Sequence, residues 1–494
     1  MKKIFPVILV TIILWSVLAS CSKEQTNDEQ SVNTSETVIE NTETQSTETQ
    51  SNEEPTLKKY YIDSSEEYVS VSSDGIEFCA TYEGMAYIKM TVIGNRSVNY
   101  NVYVNGKKTG SMVATGSTSP KKIPGSADNA GSKVLITITR AEDNPEIDVV
   151  FHEIQIRGAL EKLVNDSTRE LMSYDIILNK DKIHIQGRSM DTLYEASFDW
   201  SASGIEFNAT YTGYVYVSGK GPSNNVRFRV YVNGKETGVV SFGSTYELKM
   251  LPGTYSVEET TAHIRLVRLE YVKDGLATLK TVKLAGEIHD WQKGRKFIEF
   301  IGDSITCGFG SVTKDSTKDG SRTFAYLTAC EFDVDYSMVA ISGIGVSAST
   351  SQHSGKNMVD FYKYTNYYRN TTELYVPERK ADLVVVNLNT NDISIGVVEE
   401  KYKSDAKMLI SDIRAIHGEE VEIIWIIGQM SSAGSAANGW LADVFEELGG
   451  EAEGYYIIKT TQNNAGGDGH PNYDSHKVTA GHLIEFIEDK ELLG

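Results

Sequence analysis

An internal repeat limits the fold of this chain more than any other feature of its 494 residues. The run Gly75–Gly84 (GIEFCATYEG) matches Gly204–Gly213 (GIEFNATYTG), and Val102–Gly110 (VYVNGKKTG) matches Val230–Gly238 (VYVNGKETG). A period of about 129 residues is too long for the unit of a solenoid, so the repeat indicates duplication of a whole domain.

Both copies have the pattern of an all-β domain. Alternating runs such as Tyr87–Met90 and Phe228–Val232 predict strands. Asn105-Gly106 and Asn233-Gly234 predict type I′ hairpins, because both central positions of that turn need positive φ. We expect each copy to form a sandwich of the jelly-roll type.

The domain limits follow from these patterns. We expect the first sandwich at 58–160, a linker within 159–180, and the second sandwich at 175–288. The second copy directly precedes the C-terminal part of the chain, so we expect it to pack against that part. For the first copy, glycan binding and passive spacing both remain open.

The N-terminal residues have the features of a targeting segment. Lys2 and Lys3 precede the apolar run Ile4–Leu18, and Leu18-Ala-Ser-Cys21 resembles the lipobox of bacterial lipoproteins. That resemblance implies residues 1–21 as signal peptide, lipidation at Cys21, and an extracytoplasmic protein anchored to the membrane by lipid alone. The alternative is an ordinary secretory signal.

Residues 22–57 have no aromatic side chain and no glycine, and consist mostly of Ser, Thr, Glu, Asn and Gln. Such a segment buries too little apolar surface to offset the entropy of ordering. We expect a disordered tether between the anchor and the folded part.

From about residue 295 to 494 the pattern changes to apolar strands that alternate with amphipathic helices, which predicts a three-layer α/β/α domain with a mostly parallel sheet. One predicted helix has an apolar stripe from Tyr402 to Ile416, and another spans Ser475–Ile487. The expected strands are Phe297–Ile301, Met338–Ile341, Asp382–Leu388, Glu422–Gly428 and Tyr455–Ile458.

Polar motifs follow these strands or precede the last helix, and ligands bind at the carboxyl edge of such sheets. The motifs are Gly302-Asp303-Ser304, Ser342-Gly343-Ile-Gly345, Asn389-Thr-Asn391-Asp392 and Asp468-Gly-His470-Pro-Asn472. Gly-Asp-Ser alone is a common turn sequence. Together the motifs provide a serine nucleophile, Ser304, and a base, His470. The backbone N–H groups of Ser304 and Gly343 and the Asn391 amide are candidate oxyanion donors.

This set of motifs resembles the SGNH (GDSL-type) hydrolases. More narrowly, Gly302-Asp-Ser-Ile-Thr-Cys-Gly308 after a β-sandwich is similar to carbohydrate esterase family 2, whose members remove acetyl groups from plant polysaccharides. The resemblance covers roughly residues 180–494. It implies Ser304 as nucleophile, His470 as base, and Ser304, Gly343 and Asn391 as the oxyanion hole.

The chain departs from the family pattern in the remaining motifs. Asn389 stands where the family usually has glycine. Asp468 lies two residues before His470 instead of three, so either Asp468 or a backbone carbonyl completes the catalytic group. Gly469 occupies a position where some members carry a tryptophan that contacts substrate.

Composition limits the partners of the protein. The chain has 47 basic and 68 acidic residues, a net charge of −21, which argues against nucleic acid and anionic membrane surfaces and favours neutral substrates such as glycans. The cysteines after Cys21 are Cys79, Cys307 and Cys330; they form no disulfide framework or metal motif, although Cys307 and Cys330 could pair. We expect no cofactor and no metal, and a monomer.

The resemblance implies a serine esterase that removes O-acetyl groups from polysaccharides of the xylan or mannan type. Two alternatives stay open: a glycan-binding lipoprotein with a degenerate esterase domain, and an esterase that acts on the cell's own envelope polymer. Aromatic side chains that could stack on a sugar are Tyr364, Tyr367, Tyr368 and Trp440, but packing explains them equally well, and we assign no role to His476 or His482.

Overall fold

The computed structural model describes residues 56–494 apart from 63–67, 73–74, 93–96, 118, 128–132, 142–148, 162–169, 223–225, 271, 313–317, 368–372, 431–435 and 461–463. The predicted signal peptide with Cys21, and nearly all of the predicted tether at 22–57, lie outside these residues. Among the described helices, none combines the length and apolar character that crossing a bilayer requires.

The first repeat forms an antiparallel β-rich unit in which the path of paired strands runs β1-β8-β3-β7-β4-β5. The long strand β3 also pairs with β2 and β6, so it organises the whole unit. The strands are β1 (Lys58–Tyr61), β2 (Val69–Ser72), β3 (Gly75–Val92), β4 (Val98–Val104), β5 (Lys107–Ala114), β6 (Lys121–Lys122), β7 (Lys133–Arg140) and β8 (Val149–Glu161).

The second repeat forms a second β-rich unit with the same arrangement around one long strand, β13. Its strands are β9 (Met172–Asp175), β10 (Ile183–Gln186), β11 (Met190–Asp191), β12 (Ala196–Phe198), β13 (Gly204–Lys220), β14 (Val226–Val232), β15 (Lys235–Phe242), β16 (Glu247–Met250), β17 (Ser256–Arg268) and β18 (Ala277–Ile288). Strand β8 ends at Glu161, and β9, which pairs with β18, begins at Met172, so both positions lie inside the range 159–180 where we expect the linker.

The repeated turn residues have the backbone conformation that the sequence predicts. Asn105 and Gly106 have φ of 49° and 73°, and Asn233 and Gly234 have φ of 50° and 75°. Both central residues therefore lie in the left-handed region, which a type I′ hairpin requires. The predicted hairpins β4–β5 and β14–β15 are confirmed.

The two β-rich units contact each other through a small apolar cluster. Tyr214 of the second unit packs with Cys79 and Leu135 of the first. Leu135 pairs with Cys79 across strands β7 and β3, so the contact uses one face of the first unit. The two copies thus pack directly against one another.

The C-terminal part is an α/β domain with a five-stranded parallel sheet in the order β20-β19-β21-β22-β23. Its strands are β19 (Phe297–Gly302), β20 (Asp335–Ala340), β21 (Leu383–Asn387), β22 (Glu422–Ile427) and β23 (Tyr455–Lys459). Its helices are α1 (Phe324–Glu331), α2 (Met358–Tyr362), α3 (Thr390–Ile395), α4 (Glu399–His417), α5 (Ala436–Glu447) and α6 (Tyr473–Asp489).

Helices cover both faces of this sheet, as the sequence predicts. On one face the strands pack with α2, α4 and α5, and the apolar stripe of α4 is buried there from Tyr402 to Ile413. On the other face they pack with α1 and α6 through residues such as Phe324 and Leu483. Alternate side chains of a strand point to opposite faces, so each strand needs an almost continuous apolar run.

The one charged residue in β19, Glu299, is completely buried and joins the second β-rich unit to the sheet. Its carboxylate accepts hydrogen bonds from Nε and Nη2 of Arg188, at 3.1 and 3.0 Å. The hydroxyl of Tyr362 donates to it at 2.8 Å, and Nε2 of His417 lies 2.9 Å away. A buried carboxylate needs such partners, because an unpaired charge in the interior is costly.

We predict that Arg188→Met lowers the free energy of unfolding by about 3–5 kcal/mol, because it leaves the Glu299 charge buried without its main partner. Chemical denaturation checks this value. The matched control is Lys182→Met, whose exposed pair with Asp290 at 3.9 Å should contribute less than about 1 kcal/mol. Equal losses in the two variants would contradict the role given to Arg188.

Candidate active site

Ser304 lies two residues beyond strand β19, in a turn that has no room for a larger residue at Gly302. A Cβ atom on Gly302 would lie 2.0 Å from Oγ1 of Thr306, so only glycine fits there. The chain then continues in turns from Ser304 to Gly308. The strand end is as predicted.

The structure brings Ser304 and His470 together across 166 positions of the chain. Nε2 of His470 lies 2.8 Å from Oγ of Ser304. The two loops are joined by a backbone hydrogen bond from Gly467 N to Gly310 O at 3.0 Å. They approach so closely that a Cβ atom on Gly310 would lie 2.5 Å from the carbonyl oxygen of Gly467.

A backbone carbonyl orients the imidazole of His470. Its Nδ1 lies 3.1 Å from the carbonyl oxygen of Gly467, which can only accept, so Nδ1 carries the proton and Nε2 accepts from the Ser304 hydroxyl. Asp468, the predicted acid, does not take this position, because it lies within a tight turn with φ of 51°. The alternative stated from the sequence, a backbone carbonyl, is the arrangement that the structure contains.

Burial keeps His470 in the form that can accept a proton. Desolvation lowers the pKa of His470 below its usual 6.5, and the backbone carbonyls of Gly467 and Asp468 oppose this only partly. The imidazole is therefore neutral at pH 7. The ring of Phe309 packs against it with centroids 4.7 Å apart, which restricts its rotation.

A buried carboxylate shapes the loop that contains Gly343. Asp392 accepts the backbone N–H groups of Val346, Ser347 and Ala348 at 2.8, 2.8 and 3.0 Å. A Cβ atom on Gly345 would lie 2.4 Å from this carboxylate, which explains the glycine. Burial raises the pKa of Asp392 to about 6 despite these three donors.

The Asn389 position, where the family usually has glycine, keeps a glycine-like backbone. Asn389 has φ of 102° and ψ of −32°, a region that side chains rarely adopt. Its side chain is tied down at both ends, because Tyr402 donates its hydroxyl to Oδ1, and Nδ2 donates to Asn438 at 3.3 Å. The loop therefore keeps its course without the glycine.

Hydrogen bonds connect the loops that carry the candidate oxyanion donors to the Ser304 loop. Gly343 has φ of 82° and is the second residue after Ile341, which hydrogen-bonds to Gly302 at the end of β19. Nδ2 of Asn391 donates to the carbonyl of Ile344 at 2.7 Å and to Asp303 at 3.3 Å, so it links the Gly343 loop to the Ser304 loop. Burial raises the pKa of Asp303 to about 7.

The other residues considered from the sequence have packing roles where the structure describes them. Cys79 and Cys307 are buried free thiols, and Cys330 is free as well. Trp440 packs against Tyr402, and Tyr367 stacks on Phe361. The backbone carbonyl of Tyr364 accepts a hydrogen bond from Arg188. Nδ1 of His476 accepts a hydrogen bond from the backbone N–H of Phe324. His482 is half-buried on α6. Tyr368 lies outside the described residues.

Two contacts that the second β-rich unit makes with the α/β domain were not predicted from the sequence. Lys273 donates to Oε1 of Gln352 at 2.9 Å, and Asp274 pairs with Lys318 at 3.2 Å. The buried His353, whose Nε2 donates to the carbonyl of Ser342, was not predicted either. No local motif marks these residues, since each acts across a domain junction or through the backbone.

A separate cleft of about 710 Å³ lies at the amino edge of the sheet, between the second β-rich unit and the α/β domain. At this junction one ligand atom each from His184, Glu206 and Asp335 lies within 4.8 Å of the others. Both carboxylates are already bound by Arg295, and Glu206 also by Arg265. These ion pairs account for the cluster, and we assign no metal to it.

Comparison with known proteins identifies the class of the α/β domain. Residues 300–478 match the model of the GDSL-like lipase/acylhydrolase family. The α/β domain is therefore a GDSL-like lipase/acylhydrolase domain, which confirms the resemblance based on its motifs.

Among curated proteins, the cellulase/esterase CelE of Acetivibrio thermocellus is 27% identical over 308 residues, which cover 54% of this chain and 37% of that protein. This chain thus spans little more than a third of the length of CelE. An acetylxylan esterase / glucomannan deacetylase of Cellvibrio japonicus is 23% identical over 340 residues, with coverage of 63% and 91%.

A solved structure is also similar to this chain. A family two carbohydrate esterase from Clostridium thermocellum, in complex with cellohexaose, superposes with a TM-score of 0.57 and 24% identity. The match covers 63% of this chain and 100% of the chain in that structure. Known relatives of the chain are therefore family 2 carbohydrate esterases, and the structural match shows a shared fold.

We predict that Asp468→Asn leaves the His470 imidazole oriented as it is, because its partner is the Gly467 carbonyl. NMR titration should show a His470 pKa that stays below 6.5 and falls slightly further, since the Asp468 charge acts to raise it. The exposed Asp474→Asn serves as control. A large change in the Nδ1–H resonance in Asp468→Asn alone would contradict this assignment.

Proposed function

We propose that the protein is a serine esterase that removes O-acetyl groups from polysaccharides of the xylan or mannan type. The observation that carries the proposal is the 2.8 Å contact between Ser304 Oγ and His470 Nε2. A serine hydroxyl is a weak nucleophile until a neighbouring base accepts its proton. A nucleophile in contact with its base is the first requirement for catalysis by a serine hydrolase.

In this mechanism Ser304 Oγ attacks the acetyl carbonyl carbon, while Nε2 of His470 takes the hydroxyl proton. His470 then gives that proton to the sugar oxygen as its bond to the acetyl carbon breaks, which leaves an acetyl group on Ser304. A water molecule, deprotonated by His470, attacks this ester and releases acetate. The Gly467 carbonyl stabilises the imidazolium that forms in each half-reaction.

The negative charge on the carbonyl oxygen needs donors that are in place before the reaction. We assign this role to the backbone N–H groups of Ser304 and Gly343 and to the Asn391 side chain. Asn391 already joins the Ser304 and Gly343 loops. The buried Asp392 accepts hydrogen bonds from three backbone N–H groups of the Gly343 loop, and these bonds hold that loop in place.

The substrate class rests on the relatives and on charge. One relative is named an acetylxylan esterase / glucomannan deacetylase, and a solved relative contains cellohexaose. A net charge of −21 disfavours anionic polymers. A degenerate esterase domain that only binds glycan is less well supported, because the Ser304–His470 pair is intact.

Purified protein should hydrolyse 4-nitrophenyl acetate, and Ser304→Ala should reduce kcat by about 10⁴-fold or more, since nucleophile and base act as a unit. Activity should fall in acid, as the pH drops through the pKa of His470, because the reaction needs the neutral imidazole and burial lowers that pKa. Equal rates for the wild type and Ser304→Ala would end the enzyme proposal.

Acetate release then identifies the polymer. Acetylated xylan and acetylated glucomannan should be substrates, whereas O-acetylated peptidoglycan should not, with Ser304→Ala as the blank for each. Release from peptidoglycan alone would favour the envelope-directed alternative. Release from none of the polymers, beside an active model ester, would contradict the polysaccharide substrate.

We also propose that the protein is a monomeric surface lipoprotein held by Cys21, with jelly-roll sandwiches between anchor and enzyme. The support is the sequence Leu18-Ala-Ser-Cys21 after an apolar run. In a bacterial host, the wild type should partition into the membrane fraction and the detergent phase, and Cys21→Ala should lose this partition. The same partition in both would contradict lipidation at Cys21.

A further inference from the structure

A second histidine, His353, is buried behind the loop that carries Gly343. It ends the short 3₁₀ turn Ser351–His353 and is only 2% exposed. Nε2 of the ring lies 2.7 Å from the carbonyl oxygen of Ser342, and Nδ1 lies 3.3 Å from the hydroxyl of Tyr367. A carbonyl can only accept, so Nε2 carries the proton and Nδ1 accepts from Tyr367.

The carbonyl that His353 contacts belongs to the same peptide group as the N–H of Gly343. In a trans peptide the C=O and N–H point in opposite directions, so an anchor on one side aims the other. Gly343 has φ of 82°, and glycine reaches several backbone conformations at little cost. Without an anchor, this peptide could rotate and turn the Gly343 N–H away from Ser304.

Gln352 and Lys273 support the same peptide from the outside. Nε2 of Gln352 lies 3.4 Å from the Ser342 carbonyl oxygen, and a Cβ atom on Gly343 would lie 2.7 Å from it. Lys273, from the second β-rich unit, donates to Oε1 and to the carbonyl of Gln352 at 2.9 and 3.2 Å. The peptide is thus held by groups from both domains.

We propose that His353 is a positioning residue for the esterase reaction: it holds the Ser342–Gly343 peptide so that the Gly343 N–H faces the oxyanion. The inference rests on the proposed function, in which that N–H is a donor. A hydrogen bond to the carbonyl also polarises the peptide and makes its N–H a stronger donor. Burial lowers the pKa of His353, and the nearby Lys273 charge acts in the same direction, so the ring stays neutral at pH 7.

Three substitutions at His353 test the role of its Nε2–H. In His353→Gln the amide nitrogen can take the position of Nε2, whereas in His353→Asn it corresponds to Nδ1 and does not reach Ser342. His353→Phe keeps the ring and loses both nitrogens. We expect kcat on 4-nitrophenyl acetate to fall about 10- to 100-fold in the Phe and Asn variants, less than the about 10²- to 10³-fold that follows removal of an oxyanion donor itself.

The Gln variant should recover to within about fivefold of the wild type, and KM should change less than about threefold in all three, because the loss is in the transition state. A boronic acid that bonds to Ser304 mimics the tetrahedral intermediate. Its inhibition constant should rise in step with the loss of kcat/KM. Unchanged kcat in His353→Phe, or an equal loss in the Gln and Asn variants, would overturn the proposal.

The matched control is His417→Phe, another buried histidine of the same domain, which contacts Glu299 within β19. It should lower stability and leave the kcat of the folded protein unchanged. If His353→Phe does not fold, Tyr367→Phe replaces it; that variant removes the hydroxyl that donates to Nδ1, and kcat should fall about two- to fivefold. An inactive wild type would instead refute the proposed function.

Discussion

The buried charge of Glu299 is the constraint on which the rest of the structure depends. Glu299 lies in the middle of β19, the strand that ends beside Ser304. Because Glu299 is completely buried, both of its carboxylate oxygens need hydrogen-bond partners inside the protein. Those partners come from three elements: Arg188 of the second β-rich unit, Tyr362 of α2 and His417 at the end of α4. The second β-rich unit is therefore joined to the α/β domain at the strand that ends beside Ser304.

Backbone groups do much of the positioning at the other end of that strand. The Gly467 carbonyl orients His470, three N–H groups surround Asp392, and the Ser342 carbonyl receives His353. Backbone groups move only with the loops that contain them, so they suit a site that needs donors fixed before the reaction. The glycines at 302, 310 and 345 allow these loops to approach where a Cβ atom would collide.

The sequence predicts the parts of this protein that follow from local pattern. The repeat and its Asn-Gly pairs predict two β-rich units with type I′ turns, and apolar runs predict the parallel sheet. Motifs at strand ends predict that Ser304 and His470 meet, because the carboxyl ends of parallel strands share one edge. The family-model match adds the class of the domain.

The rest depends on distant partners and on backbone geometry. Arg188 and Glu299 are 111 positions apart, and nothing near either residue in the sequence identifies the other. Asp468 has the side chain that a triad needs, yet its turn leaves the Gly467 carbonyl beside the imidazole. His353 hydrogen-bonds to a backbone carbonyl, and no motif of side chains in the sequence indicates such a contact. Strand β9 is likewise defined by its pairing with β18, in a stretch where the sequence has no clear strand pattern.

In the proposed mechanism, Ser304 carries the acetyl group between the two half-reactions. Rapid acid quenching of the protein with an acetyl ester, followed by peptide mass spectrometry, tests this most directly. We expect one added acetyl group on the peptide that contains Ser304, present early in the reaction and absent in Ser304→Ala. Hydrolysis without any acetylated peptide, or acetylation at another residue that decays at the turnover rate, would contradict it.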